Sequence, residues 1–310
     1  MRNTRLTEEE ALFAQQLPKP PAIGAIRVSN VWIIEWLQES ERKTGQLLHE
    51  WMEQRRPGWP AYRRCRTKDD VLKEIYCAVR FAKASGSVPI LHLEAHGCRD
   101  GLHDGSQNQS LLRWSELAGP LQYLNVATRC NLIVFVAACI GFAGIQALTQ
   151  GPIAPAIALV GPTHDLGSSE LLLGAKEFYR RIQDPDAHFQ RAVASSSQEM
   201  GSAEFEQESF IDLVYNATVE QLIISFRKDE VAQRYNRYRK RMLAGGKFSV
   251  EEVEARLKSL PAHSPKIAQH MWNTMFMIDR YPENEKRFGL DMMALVKRSR
   301  SLRQNADTSL

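Results

Sequence analysis

Residues 89–97, PILHLEAHG, and residues 131–141, NLIVFVAACIG, decide the fold of this chain. Each is an apolar run of strand length that ends in a reactive side chain with glycine close behind, His96 in the first and Cys139 in the second. Near-continuous apolar character is typical of parallel strands that are buried on both faces. Because active sites in open α/β sheets form at the carboxyl ends of parallel strands, the two stretches predict a base beside a thiol.

The sequence around these stretches alternates between strand and helix patterns. Short apolar runs predict strands, and apolar side chains at helical spacing predict helices. The predicted strands lie at residues 31–34, 88–95, 132–138 and 156–160, and the predicted helices at residues 40–55, 68–83, from Trp114 onward, and 171–182. Residues 57–60 and 97–110 are predicted as loops. This alternation predicts an α/β fold, with a mostly parallel sheet flanked by helices on both faces.

The C-terminal third of the chain has a different composition. Strand patterns become rare after about residue 204, and the apolar run at residues 210–225 completes a predicted first domain, residues 1–225. Residues 226–302 are mostly charged and helix-favouring, with breaks at glycines and prolines. We therefore predict a second domain, residues 226–310, as a helical C-terminal extension that regulates the first domain or binds a partner.

Composition narrows the protein class. The chain has 310 residues, and its 44% hydrophobic and 25% charged residues are ordinary for a soluble globular protein. A formal net charge of +4 gives no reason to expect a nucleic-acid partner. The five cysteines are scattered, which is typical of reduced thiols in the cytoplasm. The start of the sequence lacks a secretory apolar segment, and the apolar run at residues 132–148 is predicted as a strand, a turn and a helix start, so we expect a cytoplasmic protein without membrane association.

The residue types at the two strand ends indicate acyl-transfer chemistry. A thiol attacks a carbonyl as thiolate and needs a nearby base, which His96 would supply for Cys139. The attack places negative charge on the carbonyl oxygen, and the backbone N–H groups of Gly97 and Cys139 are the candidate oxyanion-hole donors. The glycine after the histidine would let a substrate backbone approach closely.

At this point four ordered blocks resemble a known family. The AHG of residues 95–97 and the ACIG of residues 138–141 resemble the signatures of caspase-like peptidases; the His–Cys interval is 43 residues, against about 50 in the caspase signature. The bacterial CHAT branch of this superfamily is similar in two further blocks. These are DGLHDG at 100–105 with WSEL at 114–117, and ALVGPTHD at 158–165 with FYRRI at 178–182. The resemblance covers roughly residues 25–225.

The resemblance implies a caspase–haemoglobinase fold, a catalytic dyad of His96 and Cys139, and neither a cofactor nor a metal. It implies a cysteine endopeptidase that cleaves a specific protein substrate. Such bacterial enzymes often act as effectors in antiviral defence or cell death, triggered by a partner protein or a small-molecule signal. Two departures concern specificity. Ala137 stands where metacaspase-type enzymes often carry an acid, and the Gln and Arg that flank Ala-Cys in caspases are absent, so the motifs support neither basic nor Asp specificity.

The loops that follow the predicted strands carry the candidate substrate-binding residues. Polar and charged residues at the carboxyl ends of strands can line the cleft, although a solvated loop is the ordinary structural role for such positions. The candidates are Arg99, Asp100 and Asp104 after His96, and His164 and Asp165 after the predicted strand 156–160.

Other interpretations of these residues remain open. Free cysteines are often buried structural thiols, so Cys139 could belong to a catalytically silent, caspase-like scaffold that serves as a protein-interaction module. A metal site from His92, His96, Cys98 and His103 is a second alternative, although it lacks a recognised ligand spacing. The aromatic and basic segment RYNRYRKR at residues 234–241 makes a nucleic-acid-binding adaptor the third.

Overall fold

The computed structural model describes residues 7–21, 28–106, 110–145, 153–183, 189–199, 205–225, 240, 249, 251 and 265–308. The strands in these ranges are β1 (Asn30–Trp36), β2 (Pro60–Arg64), β3 (Pro89–Cys98), β4 (Gly101–His103), β5 (Leu112–Arg113), β6 (Ile133–Ala137), β7 (Ala158–Pro162) and β8 (Phe205–Ser209). The α-helices are α1 (Glu8–Gln15), α2 (Thr44–Arg55), α3 (Lys68–Ser85), α4 (Trp114–Ala127), α5 (Ser168–Ile182), α6 (Phe189–Glu199), α7 (Phe210–Ser225), α8 (Pro265–Met275), α9 (Glu285–Phe288) and α10 (Met292–Thr308).

The described strands form one sheet whose main path runs β2-β1-β3-β6-β7-β8. The strands from β2 to β7 along this path are parallel, and β8 is antiparallel to β7. β4 pairs antiparallel with the end of β3, and β5 pairs with β4, so a small ribbon extends the carboxyl end of β3. The predicted α/β fold with a mostly parallel sheet is confirmed.

Helices cover both faces of the sheet because the strands are apolar on both sides. On one face, the Trp32 ring of β1 contacts Phe81 of α3 at 5.6 Å between centroids. On the other face, the buried Phe135 of β6 lies 5.1 Å from Phe178 and 5.8 Å from Tyr179, both on α5. A fully buried aromatic side chain contributes about 1.5–3 kcal/mol relative to an exposed one. The core therefore holds the central strands of the sheet against the helices on both faces.

Three strand regions differ from the sequence-based expectation. Residues 57–60 were expected as a loop, but β2 starts at Pro60 and forms the edge of the sheet, where a proline without an N–H is tolerated and charged side chains face water. β8 has the polar sequence FEQES, which carries no apolar run. The expected loop 97–110 begins instead with the last residues of β3 and with β4.

The chain divides into two compact units. One comprises Ile23–Phe210 and Met275–Arg287 and contains the sheet; the other comprises Met1–Ala22, Ile211–Thr274 and Phe288–Leu310. Within the second unit, Trp272 is buried and its Nε1–H donates to the Phe288 carbonyl at 2.7 Å. The described C-terminal residues are largely helical, which confirms the expected helical extension.

Two predictions in the C-terminal third concern residues that the structure largely leaves out. The predicted boundary after residue 225 stays a prediction, because residues 226–239 lie outside the described ranges. The segment 234–241 also lies outside them, apart from Lys240. In the ranges that the structure does cover, no helix is both long enough and apolar enough to cross a bilayer.

Candidate active site

His96 lies near the carboxyl end of β3, and Cys139 lies two residues after the end of β6, the neighbouring parallel strand. These parallel strands pair from Ile90 opposite Ile133 to Glu94 opposite Ala137, and the same offset, carried two positions beyond the last pair, relates His96 to Cys139. Side chains two residues apart on a strand share a face of a sheet, so His96 lies on the same face of β3 as Glu94. The carboxyl ends of these adjacent parallel strands therefore bring the residues His96 and Cys139 to one edge of the sheet.

Gly97 allows the two strand ends to approach each other. A Cβ built at this position would lie 2.0 Å from the carbonyl oxygen of Cys139 and 3.0 Å from the Ala138 Cβ. Only a residue without a side chain fits such a contact. The sequence suggested that the glycine makes room for substrate, whereas in the structure the backbone of the neighbouring strand end fills that space.

A strained turn carries Cys139. The Gly141 N–H donates to the Ala138 carbonyl at 3.0 Å, and Ile140 between them has φ +51°. A β-branched residue with left-handed backbone is a conformational outlier of the kind that concentrates at functional sites. The Ile140 N–H donates to the His164 carbonyl at 3.3 Å, which connects the turn to the loop after β7. Gly141 packs so closely against β6 that a Cβ built there would lie 2.7 Å from Val136 Cγ1. The thiol is thus fixed at the end of β6.

The half-buried thiol of Cys139 faces the loop that follows β7. Its Sγ donates to the Leu166 carbonyl oxygen at 3.7 Å. Burial raises the pKa of the Cys139 thiol above its ordinary value, and the carboxylate of Asp165 raises this pKa further. The thiolate fraction at neutral pH is correspondingly small, so attack on a carbonyl requires a base that removes the proton.

His96 is bound by a carboxylate that sequence reasoning missed. The distance from His96 Nε2 to Glu41 Oε1 is 2.6 Å, and both side chains are half-exposed. Glu41 lies in the segment between β1 and α2, which follows the carboxyl end of the strand next to β3. An acidic residue directly after a strand was the only available signal, and it does not distinguish Glu41 from Glu39. Among the described residues no hydrogen bond joins His96 to Cys139.

The ribbon after His96 closes over its ring. The His103 imidazole on β4 stacks on the His96 ring with centroids 5.5 Å apart and an interplanar angle of 21°. The Nδ1 atom of His103 accepts the N–H of Gly105 at 3.1 Å. Burial lowers the pKa of His103, and the neighbouring His96 lowers it further. A neutral His103 is therefore the stacking partner of His96.

The candidate substrate-binding residues divide into three groups. The exposed Arg99 and Asp100 form the turn between β3 and β4, where their carbonyls accept the Trp114 Nε1–H and N–H at 3.1 Å each. Burial opposes ionisation of Asp104, but hydrogen bonds from Ser106 outweigh it and lower the pKa of the Asp104 carboxyl. The exposed His164 and Asp165 follow β7 and lie beside the Cys139 turn. The structure thus groups His164 and Asp165 with the thiol, while Arg99 and Asp100 anchor the ribbon to α4.

The histidines proposed for a metal site have other contacts. His92 is fully buried, with its two ring nitrogens 3.0 Å from the Tyr179 hydroxyl and 2.9 Å from Glu94 Oε2. Within the described part of the chain, no group of three or more His, Cys, Asp or Glu side chains is arranged to hold a metal ion. The geometry therefore gives the metal alternative no support.

A buried polar cluster lies on the face of the sheet that carries His96. Glu94 lies two residues before His96 on β3 and accepts a hydrogen bond from the Thr44 hydroxyl. Glu35 of β1 accepts a hydrogen bond from the Gly45 N–H at 2.8 Å. These contacts fix the N-terminus of α2, where an acidic group is favourable. The cluster thereby anchors the segment that carries Glu41.

We expect an Asp165→Asn substitution to make Cys139 more reactive. Removing the carboxylate lowers the pKa of the thiol, so its alkylation by iodoacetamide at pH 7 should accelerate about 3- to 10-fold. Asp100→Asn, which removes an exposed carboxylate from the β3–β4 turn, is the matched control. Mass spectrometry of Cys139 over a pH series measures the effect, and identical pH profiles for the three proteins would contradict the assigned influence of Asp165.

Comparison with known proteins adds no identification. No protein-family model matches the chain, and no curated protein matches it. The α/β fold and its mostly parallel, helix-flanked sheet are compatible with a caspase-like fold.

Proposed function

We propose that the chain is a caspase-like cysteine endopeptidase in which Cys139 is the nucleophile and His96 the base. The pairing of β3 with β6, which brings His96 and Cys139 to adjacent carboxyl strand ends, carries the proposal. The close backbone contact at Gly97 and the strained turn at Ile140 support it, because both hold reactive groups in a fixed geometry. The order of the four sequence blocks adds the resemblance to CHAT-type peptidases.

The proposed reaction proceeds through an acyl-enzyme. His96 takes the proton from the Cys139 thiol as sulfur attacks the carbonyl carbon of the scissile peptide bond. The C–N bond then breaks, the imidazolium gives its proton to the leaving amine, and a thioester remains on Cys139. Water attacks the thioester with His96 as base, which releases the carboxylic acid and restores the thiol. The N–H groups of Gly97 and Cys139 are the proposed donors to the oxyanion.

The proposed substrate is a specific protein, and the proposed setting is a bacterial defence or cell-death system. Both follow from the resemblance to CHAT-type peptidases. The state of the thiol favours control by a partner protein or a small ligand, because the high thiol pKa and the contact with Leu166 describe a nucleophile at rest. A trigger that moves the loop after β7 would release Sγ from that carbonyl.

Proteolysis by variants tests the proposal. Wild type, Cys139→Ala and His96→Ala would be incubated with a peptide library and with the products of neighbouring genes. Cys98→Ala is the matched control, because Cys98 is also half-buried and lies at the same strand end as His96. Cleavage by wild type and Cys98→Ala alone would support the dyad and reveal the residue before the cut. Equal cleavage by all four proteins would sink the proposal.

The raised thiol pKa also favours a second candidate, a catalytically silent scaffold for protein interaction. A scaffold needs neither a reactive thiol nor an accessible one. Labelling by a covalent thiol probe separates the two, because a peptidase nucleophile should react faster than Cys98, with or without an activating partner. Equal labelling of Cys139 and Cys98 under all conditions, together with an absence of cleavage, would favour the scaffold.

A further inference from the structure

We infer that Glu41 is a positioning residue that selects the tautomer and orientation of His96. The inference rests on the proposed function, since it assigns a third member to the proposed dyad. Glu41 Oε1 lies 2.6 Å from His96 Nε2, while Oε2 accepts the backbone N–H of Gln38 at 2.8 Å. The carboxylate therefore connects the imidazole to the backbone of its own segment, with both oxygens engaged.

The carboxylate determines which ring nitrogen carries the proton. An ionised carboxylate only accepts hydrogen bonds, so the proton between Glu41 and His96 belongs to Nε2. A neutral imidazole with a proton on Nε2 has its lone pair on Nδ1. Nδ1 is then the atom that can take the proton of Cys139.

The surroundings of the ring lead to the same nitrogen. A Cβ at Gly105, whose φ is +79°, would lie 2.5 Å from Cδ2 and 2.7 Å from Nε2 of His96, so this edge of the ring is covered. His103 covers one ring face by stacking. The edge that carries Nδ1 lies across the ring from Cδ2, and the inference requires this edge to receive the proton of the Cys139 thiol.

Glu41 is itself held in place before any substrate arrives. The Lys43 ammonium donates to the Gln38 carbonyl, the Arg42 guanidinium donates to the Ser169 hydroxyl at 2.7 Å, and Arg64 pairs with Glu39. Preorganised groups stabilise developing charge without the cost of reorientation. When Nδ1 takes the thiol proton, the imidazolium becomes positive next to the Glu41 carboxylate, so this contact strengthens as the nucleophile is formed.

The experiment compares Glu41→Gln with Glu39→Gln, a matched carboxylate on the same segment that pairs with Arg64 instead of His96. We expect Glu41→Gln to lower kcat about 100-fold and to change KM less than about threefold, for the peptide that wild type cuts fastest. Nitrogen-15 NMR of labelled histidines, assigned with His96→Ala, should show the Nε2–H tautomer in wild type and Glu39→Gln and a mixture in Glu41→Gln.

The outcomes separate this inference from the peptidase proposal. An unchanged His96 tautomer, or an unchanged or raised kcat in Glu41→Gln, would overturn the positioning role; a raised kcat would make Glu41 an inhibitory contact. If wild type cleaves nothing, the peptidase proposal fails by itself. Two other measurements then decide the role of Glu41: the His96 tautomer and the reactivity of Cys139 with iodoacetamide. A positioning role requires both properties to change in Glu41→Gln and neither to change in Glu39→Gln.

Discussion

A Gly97→Ala variant should lose both stability and Cys139-dependent cleavage. The new Cβ would lie 2.0 Å from the carbonyl oxygen of Cys139, and this partner is backbone that cannot rotate away. The ends of β3 and β6 must therefore separate. We expect the free energy of unfolding to fall by about 1–3 kcal/mol, as for overpacked cores. Because a displacement of about 1 Å can cost about 100-fold in rate, kcat/KM should fall at least that far.

Gly119→Ala is the matched control for this substitution. Gly119 lies in α4, and a Cβ built there meets no atom within 4 Å. Alanine is favoured over glycine in a helix by about 0.5–1 kcal/mol, so this variant should be as stable as wild type or more so. Urea denaturation and peptide cleavage measure both proteins. Equal stability and equal activity of the two variants would contradict the contact between Gly97 and Cys139.

The positions of His96 and Cys139 could be predicted from sequence because each depends on local pattern. A buried parallel strand shows its approximate position and length in the sequence, although β3 continues past Gly97 to Cys98 and β6 ends at Ala137, two residues before Cys139. The 43-residue interval between His96 and Cys139 matches the offset of the β3–β6 register. Local signals of this kind do not depend on contacts with distant residues, so the α/β fold could be predicted from them.

The missed features depend on contacts between distant residues. β2 and β8 have charged or polar sequences, and their strand structure comes from pairing with β1 and β7. Glu41 contacts a histidine 55 positions away, and no spacing rule connects the two. Glu35 likewise stands in an apolar strand without a local partner in the sequence, since its partners come from α2 and β2. Buried polar groups of this kind are specified by the assembled fold.

Glu35 should show the largest stability effect outside the region of His96 and Cys139. It is fully buried on β1 and accepts hydrogen bonds from the Gly45 N–H at 2.8 Å and from the Tyr62 hydroxyl at 2.6 Å. Glu35→Ala leaves both donors without this acceptor and opens a cavity. A buried unsatisfied donor costs about 1–3 kcal/mol, so we expect the free energy of unfolding to fall by about 3 kcal/mol or more. Glu35→Gln keeps an acceptor oxygen and removes the charge, and should stay within about 1 kcal/mol of wild type.

The difference in stability between Glu35→Gln and wild type should also depend on pH. Burial raises the pKa of Glu35 above its ordinary value of 4.5, outweighing the hydrogen bonds that it accepts. The folded state therefore binds this proton more tightly than the unfolded state, and the stability from this group is present below pH 4.5 and is lost as pH rises through the folded pKa. Glutamine has no proton to lose, so the stability of Glu35→Gln relative to wild type should increase as pH rises above 4.5. Urea denaturation of the two proteins between pH 4 and pH 8 isolates this contribution, because the other titrating groups are common to both. If the difference in free energy of unfolding between the two proteins stays constant with pH, or changes in favour of wild type, Glu35 ionises in the folded state without the free-energy cost that its burial implies.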